Sequence, residues 1–296
     1  MKGATAAPQK LVFLFDVDNT LLDNDRVTGD LKRHLEQEVG RERAERYWTI
    51  FEQLRSELGY ADYLGALQRY RTEFPHELKL LTVSRFLVDY PFANRLYPNS
   101  LDALDHVKQW GPAALLTDGD VVFQPRKVDR SGLFEAVEGK VLIYVHKENE
   151  LPDVEQRYPA EHYVLVDDKL RILAAVKEIW GPRVTTVFVR QGHYAFDPKV
   201  LAQYPAADIS LDRIGDLLNC DQAQLVVSGA ARQQHQRPLT PALSPSAGER
   251  GKPLPAEREL KFSLSPAEGE RIGVRGQAAR KGIKGGQPGR RKRIKR

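Results

Sequence analysis

Cysteine and long apolar runs are scarce in this chain of 296 residues. Its single cysteine, Cys220, excludes an intramolecular disulfide framework and a zinc site built from several thiolates. We therefore expect a protein of the reducing cytoplasm. No apolar run approaches the ~18 residues needed to span a bilayer, so we expect no membrane partner. The apolar fraction of 41% is nevertheless enough to bury a core.

Most of the chain lacks a basic excess, because the positive net charge comes from its C-terminal segment. Residues 238–296 hold 15 of the 45 basic residues and 5 of the 40 acidic residues, which gives this segment a net charge of +10. The preceding 237 residues carry the other 30 basic and 35 acidic residues, a net charge of −5. This distribution excludes the description of the whole protein as a basic nucleic-acid binder.

The C-terminal tail, residues 228–296, is predicted to be disordered. From residue 238 onward it holds seven prolines and nine glycines but only one aromatic residue, Phe262. Such a composition cannot offset an ordering entropy of ~1–2 kcal/mol per residue. Residues 290–296 form a cationic cluster that could contact phosphates, yet no aromatic side chains are interleaved for base stacking. We therefore expect no nucleic-acid partner. The basic tail is the only feature of the sequence that favours one.

Short apolar runs alternate with helical patterns along the rest of the chain. Five runs are predicted to be buried strands, at residues 11–15, 113–116, 141–145, 163–166 and 184–189. Apolar residues at helical spacing lie between most of them, as in Leu101, Leu104 and Val107. The alternation predicts an α/β fold with a parallel sheet and helices on both faces.

One interval, residues 24–92, breaks this rhythm because it contains no convincing strand. Tyr47, Phe51, Leu54 and Leu58 form a helical stripe within it. A crossover needs only a dozen or more residues, so the interval predicts a separate helical domain, although ordinary crossover helices are the alternative. The predicted organisation is a core over residues 10–23 and 93–227, with the helical domain inserted after the first strand.

Polar residues follow four of the predicted strands, at the edge where parallel sheets bind their ligands. In chain order they are Asp16 and Asp18, then Thr117, Asp118 and Gly119, then Lys147, and finally Asp167 and Asp168. Each alone is typical of a cap or a turn. Together, the carboxylates would repel one another unless a cation or bound protons neutralised them.

A hard divalent ion resolves this repulsion, because Mg²⁺ takes oxygen ligands and is commonly shared with a substrate phosphate. The sequence therefore predicts a Mg²⁺ site at this edge. Lys147 and the donors of Thr117 to Gly119 would hold phosphate oxygens. Of Asp16 and Asp18, one can be a nucleophile and the other a proton donor and acceptor.

The run Asp-Val-Asp-Asn-Thr-Leu-Leu at residues 16–22 resembles the Asp-x-Asp-x-Thr signature of the haloacid dehalogenase-like (HAD) superfamily. A strand-end threonine, a lysine and an Asp-Asp pair then follow in the order of the family's four motifs, so the resemblance covers about residues 11–216. It implies a Rossmann-like core and a C1-type helical cap over residues 24–92, which closes over the site and selects the substrate.

The resemblance also implies roles for the residues at the strand ends. Asp16 would be the nucleophile that forms an aspartyl-phosphate. Asp18 would be the general acid and then the general base, and its backbone carbonyl would bind Mg²⁺. Thr117, with the backbone of Asp118 and Gly119, would bind the transferring phosphoryl group.

The family's last two motifs supply charge. Lys147 would stabilise the charge of the nucleophile and the phosphate. Asp168 would complete the Mg²⁺ site, and Asp167 would be a ligand or lie beside one. Phosphatases of the superfamily carry the second aspartate of the first motif and dehalogenases lack it, so Asp18 favours phosphoryl transfer.

A Mg²⁺-dependent phosphatase acting on a small phosphomonoester is therefore the expected function, with a small phosphorylated metabolite as the substrate. A phosphotransferase or phosphomutase would use the same residues. A non-enzymatic binding protein, associated with nucleic acid through its basic tail, is a further alternative. The sequence leaves open the physiological substrate, the cap residues that select it, the role of the tail and the oligomeric state.

Several polar residues near these motifs receive other interpretations. Lys127, on the helix before the third strand, is placed away from the site edge, and Lys169 is expected to be a surface residue at the start of a helix. Asp118 stands where asparagine is common in the family, and the direction of its side chain is open. His193 and Tyr194 are interpreted as a turn with a packed aromatic, although they could reach the site.

Overall fold

A parallel β-sheet forms the centre of the computed structural model, which describes residues 9–226. Within this range six strands pair in the order β3-β2-β1-β4-β5-β6, all parallel. Their bounds are β1 Gln9–Phe15, β2 Ala113–Asp118, β3 Val141–Tyr144, β4 Ala160–Asp167, β5 Val184–Val189 and β6 Ile209–Leu211. The first five confirm the predicted strands, and the three-residue β6 was not predicted.

The residues of β1 show why the central strands read as continuous apolar runs. Leu11, Phe13 and Phe15 pack into the core on one face of the sheet, while Val12 and Leu14 pack into the core on the other face. Successive side chains of a strand point to opposite faces, so a strand covered on both sides needs apolar residues at every position. The predicted α/β fold is confirmed.

Helices cover both faces of the sheet. The α-helices are α1 Asn24–Val39, α2 Arg41–Leu58, α3 Tyr63–Glu73, α4 Leu80–Asp89, α5 Ser100–Lys108, α6 Phe123–Ser131, α7 Leu133–Ala136, α8 Leu151–Arg157, α9 Leu170–Trp180, α10 Pro198–Gln203 and α11 Gln222–Leu225. Short 3-10 helices span Phe92–Arg95, Lys147–Asn149, Gly181–Arg183, His193–Phe196 and Ile214–Asn219. None of the helices within residues 9–226 combines the length and apolarity that crossing a bilayer requires.

Residues 24–89 form four consecutive helices, α1 to α4, with no strand among them. Their buried faces are rich in aromatic residues, and the Tyr47 hydroxyl donates to the Tyr63 carbonyl oxygen at 2.9 Å. These helices belong to the same compact unit as the sheet, so the division into core and cap stays a prediction. The predicted tail, residues 228–296, lies outside the described residues.

The strand order positions the candidate site. The first strand along the chain, β1, lies in the middle of the sheet. It pairs with β2 on one side and with β4 on the other. The carboxyl ends of β1, β2 and β4 are therefore neighbours at the point where the strand order reverses, which is where open parallel sheets bind their ligands.

Candidate active site

Asp16 follows β1 directly and is buried. Its Oδ1 is 2.5 Å from Lys147 Nζ, and the Thr20 hydroxyl donates to its Oδ2 at 3.4 Å. Burial by itself raises the pKa of this carboxyl. The nearby ammonium groups of Lys147 and Lys169 lower the pKa by more than burial raises it, so the pKa lies below its usual range. Asp16 is thus held as a carboxylate.

Lys147 joins three of the strand ends. Its buried Nζ lies 2.7 Å from Asp167 Oδ2 and donates to the Leu116 carbonyl oxygen at 3.1 Å, in addition to its contact with Asp16. Burial opposes the charged form, yet the surrounding carboxylates raise the pKa of Lys147 above its usual range. The Lys147 N–H donates to Asp118 Oδ1 at 2.7 Å, so the Asp118 side chain fixes the turn that carries the lysine.

Three carboxylates form an acidic cluster at the ends of β1 and β4. One oxygen from each of Asp16, Asp167 and Asp168 lies within 4.8 Å of the others. Asp168 is 1% exposed, and neither of its carboxylate oxygens accepts a hydrogen bond from any residue in 9–226. Burial raises the pKa of Asp167 and of Asp168. Oxygen donors with unmet hydrogen-bonding capacity fit a hard divalent cation, so these side chains could hold Mg²⁺.

Asp18 does not join this cluster through its side chain. Its Oδ1 lies 2.5 Å from Nζ of Lys127, whose ammonium also donates to Asn24 Oδ1 at 3.0 Å. The placement of Lys127 away from the site edge was wrong, because its long side chain extends from α6 to the end of β1. Asp18 keeps 23% of its side-chain surface exposed, whereas Lys127 is buried.

Thr117 and Gly119, at the end of β2, have different environments. The buried Thr117 hydroxyl accepts a hydrogen bond from Gln124 Nε2 at 2.9 Å. The Gly119 N–H donates to the Tyr144 carbonyl oxygen at 2.9 Å, so this N–H is used within the sheet and is not free for a phosphate. Gln124 was not foreseen, although it shares a buried face of α6 with Lys127, three residues further on.

A cavity of about 290 Å³ opens above Asp18, between the strand ends and helices α2 and α3. Four basic side chains line it, together with two acidic and five aromatic ones. They are Arg55, Lys127, Lys169 and Arg171, then Asp18 and Asp118, and then Tyr60, Tyr63, Phe123, Tyr194 and Tyr204. The charged side chains of the lining are therefore mainly cationic, which suits an anionic ligand.

Lys169 begins helix α9 and is partly exposed, as expected, but its side chain lines this cavity. Burial lowers its pKa, but Asp168 and Asp16 raise it more strongly, and the net pKa lies above the usual range. Its Nζ lies 5.7 Å from the centre of the Tyr194 ring. This orientation could not be predicted from the sequence, because a lysine that begins a helix is usually solvated.

The loop after β5 contributes Tyr194, whose hydroxyl accepts a hydrogen bond from Arg55 of α2. Tyr194 thus faces the cavity and is more than a packed turn residue. The neighbouring His193 points elsewhere, and its Nδ1 lies 2.6 Å from Asp25 Oδ1. Asp25 in turn accepts a hydrogen bond from Asn19 Nδ2 at 3.1 Å, so the loop after β5 is linked to the loop after β1.

The sequence profile of the haloacid dehalogenase-like hydrolases matches residues 11–189. A solved structure from Burkholderia xenovorans LB400, named as a haloacid dehalogenase-like hydrolase, is 63% identical to the chain, with a TM-score of 0.70. That match covers 72% of this chain and 100% of the other. No curated protein matches the chain at a significant level.

More distant structures share the fold. A haloacid dehalogenase-like family hydrolase from Xanthomonas campestris is 16% identical, with a TM-score of 0.54 and coverage of 78% of this chain and 97% of the other. An L-2-haloacid dehalogenase is also 16% identical, with a TM-score of 0.51 and coverage of 72% and 98%. The chain belongs to the haloacid dehalogenase-like hydrolases and is an enzyme of that family.

Proposed function

We propose that this hydrolase is a Mg²⁺-dependent phosphatase that cleaves a small phosphomonoester. The observation that carries the proposal is the contrast between two aspartates that are two residues apart. Asp16 is enclosed and paired with Lys147, whereas Asp18 opens into the cavity. A carboxylate kept ionised suits a nucleophile, and a carboxylate that can meet the substrate suits proton transfer.

The proposed reaction has two steps, both at phosphorus. An Asp16 oxygen attacks, the bond from phosphorus to the ester oxygen breaks, and protonated Asp18 gives its proton to that leaving oxygen. Water then attacks the phosphorus of the aspartyl-phosphate, Asp18 takes a proton from the water, and the Asp16 carboxylate departs. Thr117 and Lys147 would hold the phosphoryl oxygens throughout.

Asp16, Asp167 and Asp168 would hold the Mg²⁺, which would supply positive charge for the phosphoryl oxygens. The charges of the cluster support this assignment. Two ammonium groups, Lys147 and Lys169, interact with the three carboxylates, so ionising all three leaves a net negative charge that a divalent cation would offset.

The chemistry of the leaving group favours a phosphatase over a dehalogenase. A halide is a weak base and leaves without a proton, so cleavage of a carbon–halogen bond needs no acid at the position of Asp18. An alkoxide is a strong base and needs one. The likeness to the L-2-haloacid dehalogenase, at 16% identity, extends to the fold alone.

The cavity supports a small, anionic substrate. Its volume of about 290 Å³ lies at the lower end of ligand pockets, and its charged lining is mainly basic. Arg55 and Tyr60 lie on its α2–α3 side. We therefore propose that residues 24–92 act as a cap that helps to select the substrate.

The test uses the full chain and a panel of phosphorylated metabolites, with Mg²⁺ or with EDTA. We expect release of inorganic phosphate with Mg²⁺, little release with EDTA, and a hydroxylamine-sensitive phosphoryl label that Asp16→Asn abolishes. Chloride release from 2-chloropropionate is measured in parallel. Release of chloride without release of inorganic phosphate, or full phosphatase activity in Asp16→Asn, would contradict the proposal. Transfer of the phosphoryl group to a second substrate in place of water would indicate a phosphotransferase.

A further inference from the structure

We propose that Lys127 is a positioning residue that acts through Asp18 and holds its carboxylate in the cavity, where it exchanges a proton with the substrate. The proposal rests on the proposed function, because that function gives Asp18 its role. Lys127 lies outside the four motifs that the sequence presents at the strand ends.

The surroundings of Lys127 fix its ammonium group from several sides. The side chain is 1% exposed, and its Nζ lies 2.5 Å from Asp18 Oδ1 and 3.0 Å from Asn24 Oδ1. The same nitrogen lies 5.1 Å from the centre of the Phe123 ring. A buried ammonium that loses its hydration needs such partners, so the group has little freedom to move away from Asp18.

The pairing leaves Asp18 free to react. It engages Oδ1, while the side chain keeps part of its surface in the cavity that it lines. Asp18 lies in the loop after β1, and the Lys127 ammonium donates a hydrogen bond to its carboxylate. Because proton transfer requires hydrogen-bond geometry, a fixed carboxylate transfers protons more efficiently than a rotating one.

The buried face of helix α6 contacts both Thr117, at the end of β2, and Asp18, in the loop after β1. Gln124 donates to the Thr117 hydroxyl, and Lys127, three residues later, pairs with Asp18. One rigid helix thus sets the relative position of a group proposed to bind the phosphoryl oxygens and a group proposed to transfer the proton. A loop residue would fix neither with comparable accuracy.

A double-mutant cycle between Lys127→Met and Asp18→Asn tests the proposal. We expect Lys127→Met to lower kcat by about 10- to 100-fold, which is part of the roughly 100- to 10,000-fold that a positioned acid–base group usually contributes. KM should change by less than about threefold, since the Lys127 ammonium is already paired with Asp18 and the other three basic side chains of the cavity remain. In the Asp18→Asn background the same substitution should have no further effect, and Lys127→Arg should recover part of kcat.

Lys177→Met is the matched control. Lys177 pairs with Asp208 at 2.7 Å and is partly buried, but it does not line the active-site cavity. Its loss should therefore affect melting without changing kcat. A parent-like kcat in Lys127→Met, or losses that multiply in the double variant, would overturn the proposal.

The same double-mutant cycle can be measured by melting temperature, which requires no substrate. It therefore tests the pairing even where the variants or the parent show no turnover. We expect coupling between Lys127 and Asp18, and additive effects would overturn the pairing. If the parent releases no phosphate from any substrate while the coupling is present, the proposed function fails and the pairing does not.

Discussion

Asp168→Asn is expected to stabilise the protein when divalent cations are absent. The carboxylate is buried, neither of its oxygens accepts a hydrogen bond within residues 9–226, and burial holds its pKa well above the usual range. A neutral amide removes the buried charge and can donate to the adjacent carboxylates. We expect a gain of about 1–3 kcal/mol in the free energy of unfolding. That gain corresponds to roughly 2–12 °C in Tm for a domain of this size.

Magnesium should shrink this difference in stability, because it stabilises the parent more than the variant. A ligand present at 100 times its Kd stabilises the folded state by about 2.7 kcal/mol, which is roughly 5–11 °C. The parent should show this shift. Asp168→Asn lacks one anionic ligand, so its shift should be about 2 °C or less under the same conditions.

The pH dependence has a definite sign. Because the pKa of Asp168 is higher in the folded state than its usual value of 3.8, the native protein binds more protons than the unfolded chain between these two values. The parent therefore loses stability as the pH rises through this interval. The advantage of Asp168→Asn in EDTA should be small near pH 4 and complete above the folded-state pKa.

Thermal melting in EDTA and in millimolar MgCl₂ checks these expectations. The control is Asp105→Asn, which alters an aspartate with 82% of its side-chain surface exposed and should change stability by less than about 0.5 kcal/mol. A variant that melts below the parent in EDTA, or equal magnesium-induced shifts in both proteins, would refute the assignment of Asp168 as a cation ligand.

Three further substitutions test the surroundings of the cluster. Lys147→Met should cost about 3–5 kcal/mol in urea unfolding, because it leaves buried carboxylates uncompensated, and a loss below 1 kcal/mol would contradict this. Gly192→Ala should cost about 2–4 kcal/mol, since φ is +69° and its Cβ would lie 2.5 Å from Asn19 Cβ. A parent-like midpoint would show that the loop relaxes. Tyr194→Phe removes the acceptor for Arg55 and should raise KM about fivefold with little change in kcat. An unchanged KM would exclude this pair from substrate binding.

The strands could be predicted because burial on both faces requires continuous apolar runs, as in β1. The short β6 could not be predicted, since three residues, Ile-Ser-Leu, are too few to show a strand pattern. Its place is fixed by tertiary contacts, with Asp208 accepting from the Thr186 N–H at 2.9 Å. Pairing partners this far apart in sequence leave no local signal.

The acidic residues of the site could be predicted because backbone topology alone brings strand ends together. The lysines were harder, since a lysine can reach several ångströms in any direction from its Cα. Lys127 comes from a helix and Lys169 from the start of the next one, and both turn inward toward carboxylates. Gln124 was missed for a related reason, because a polar residue on a helix is expected to face water until its neighbours are known.

The central position of β1 has a consequence for synthesis on the ribosome. Asp16 and Asp168 are 152 positions apart in the sequence. At about 5–20 residues per second, roughly 8–30 s separate the translation of these two aspartates. During that time the apolar strand β1 is complete while its neighbour β4 does not yet exist. A nascent chain with this topology carries an unpaired hydrophobic edge for about half of its elongation, and it is then that chaperones would protect it from aggregation.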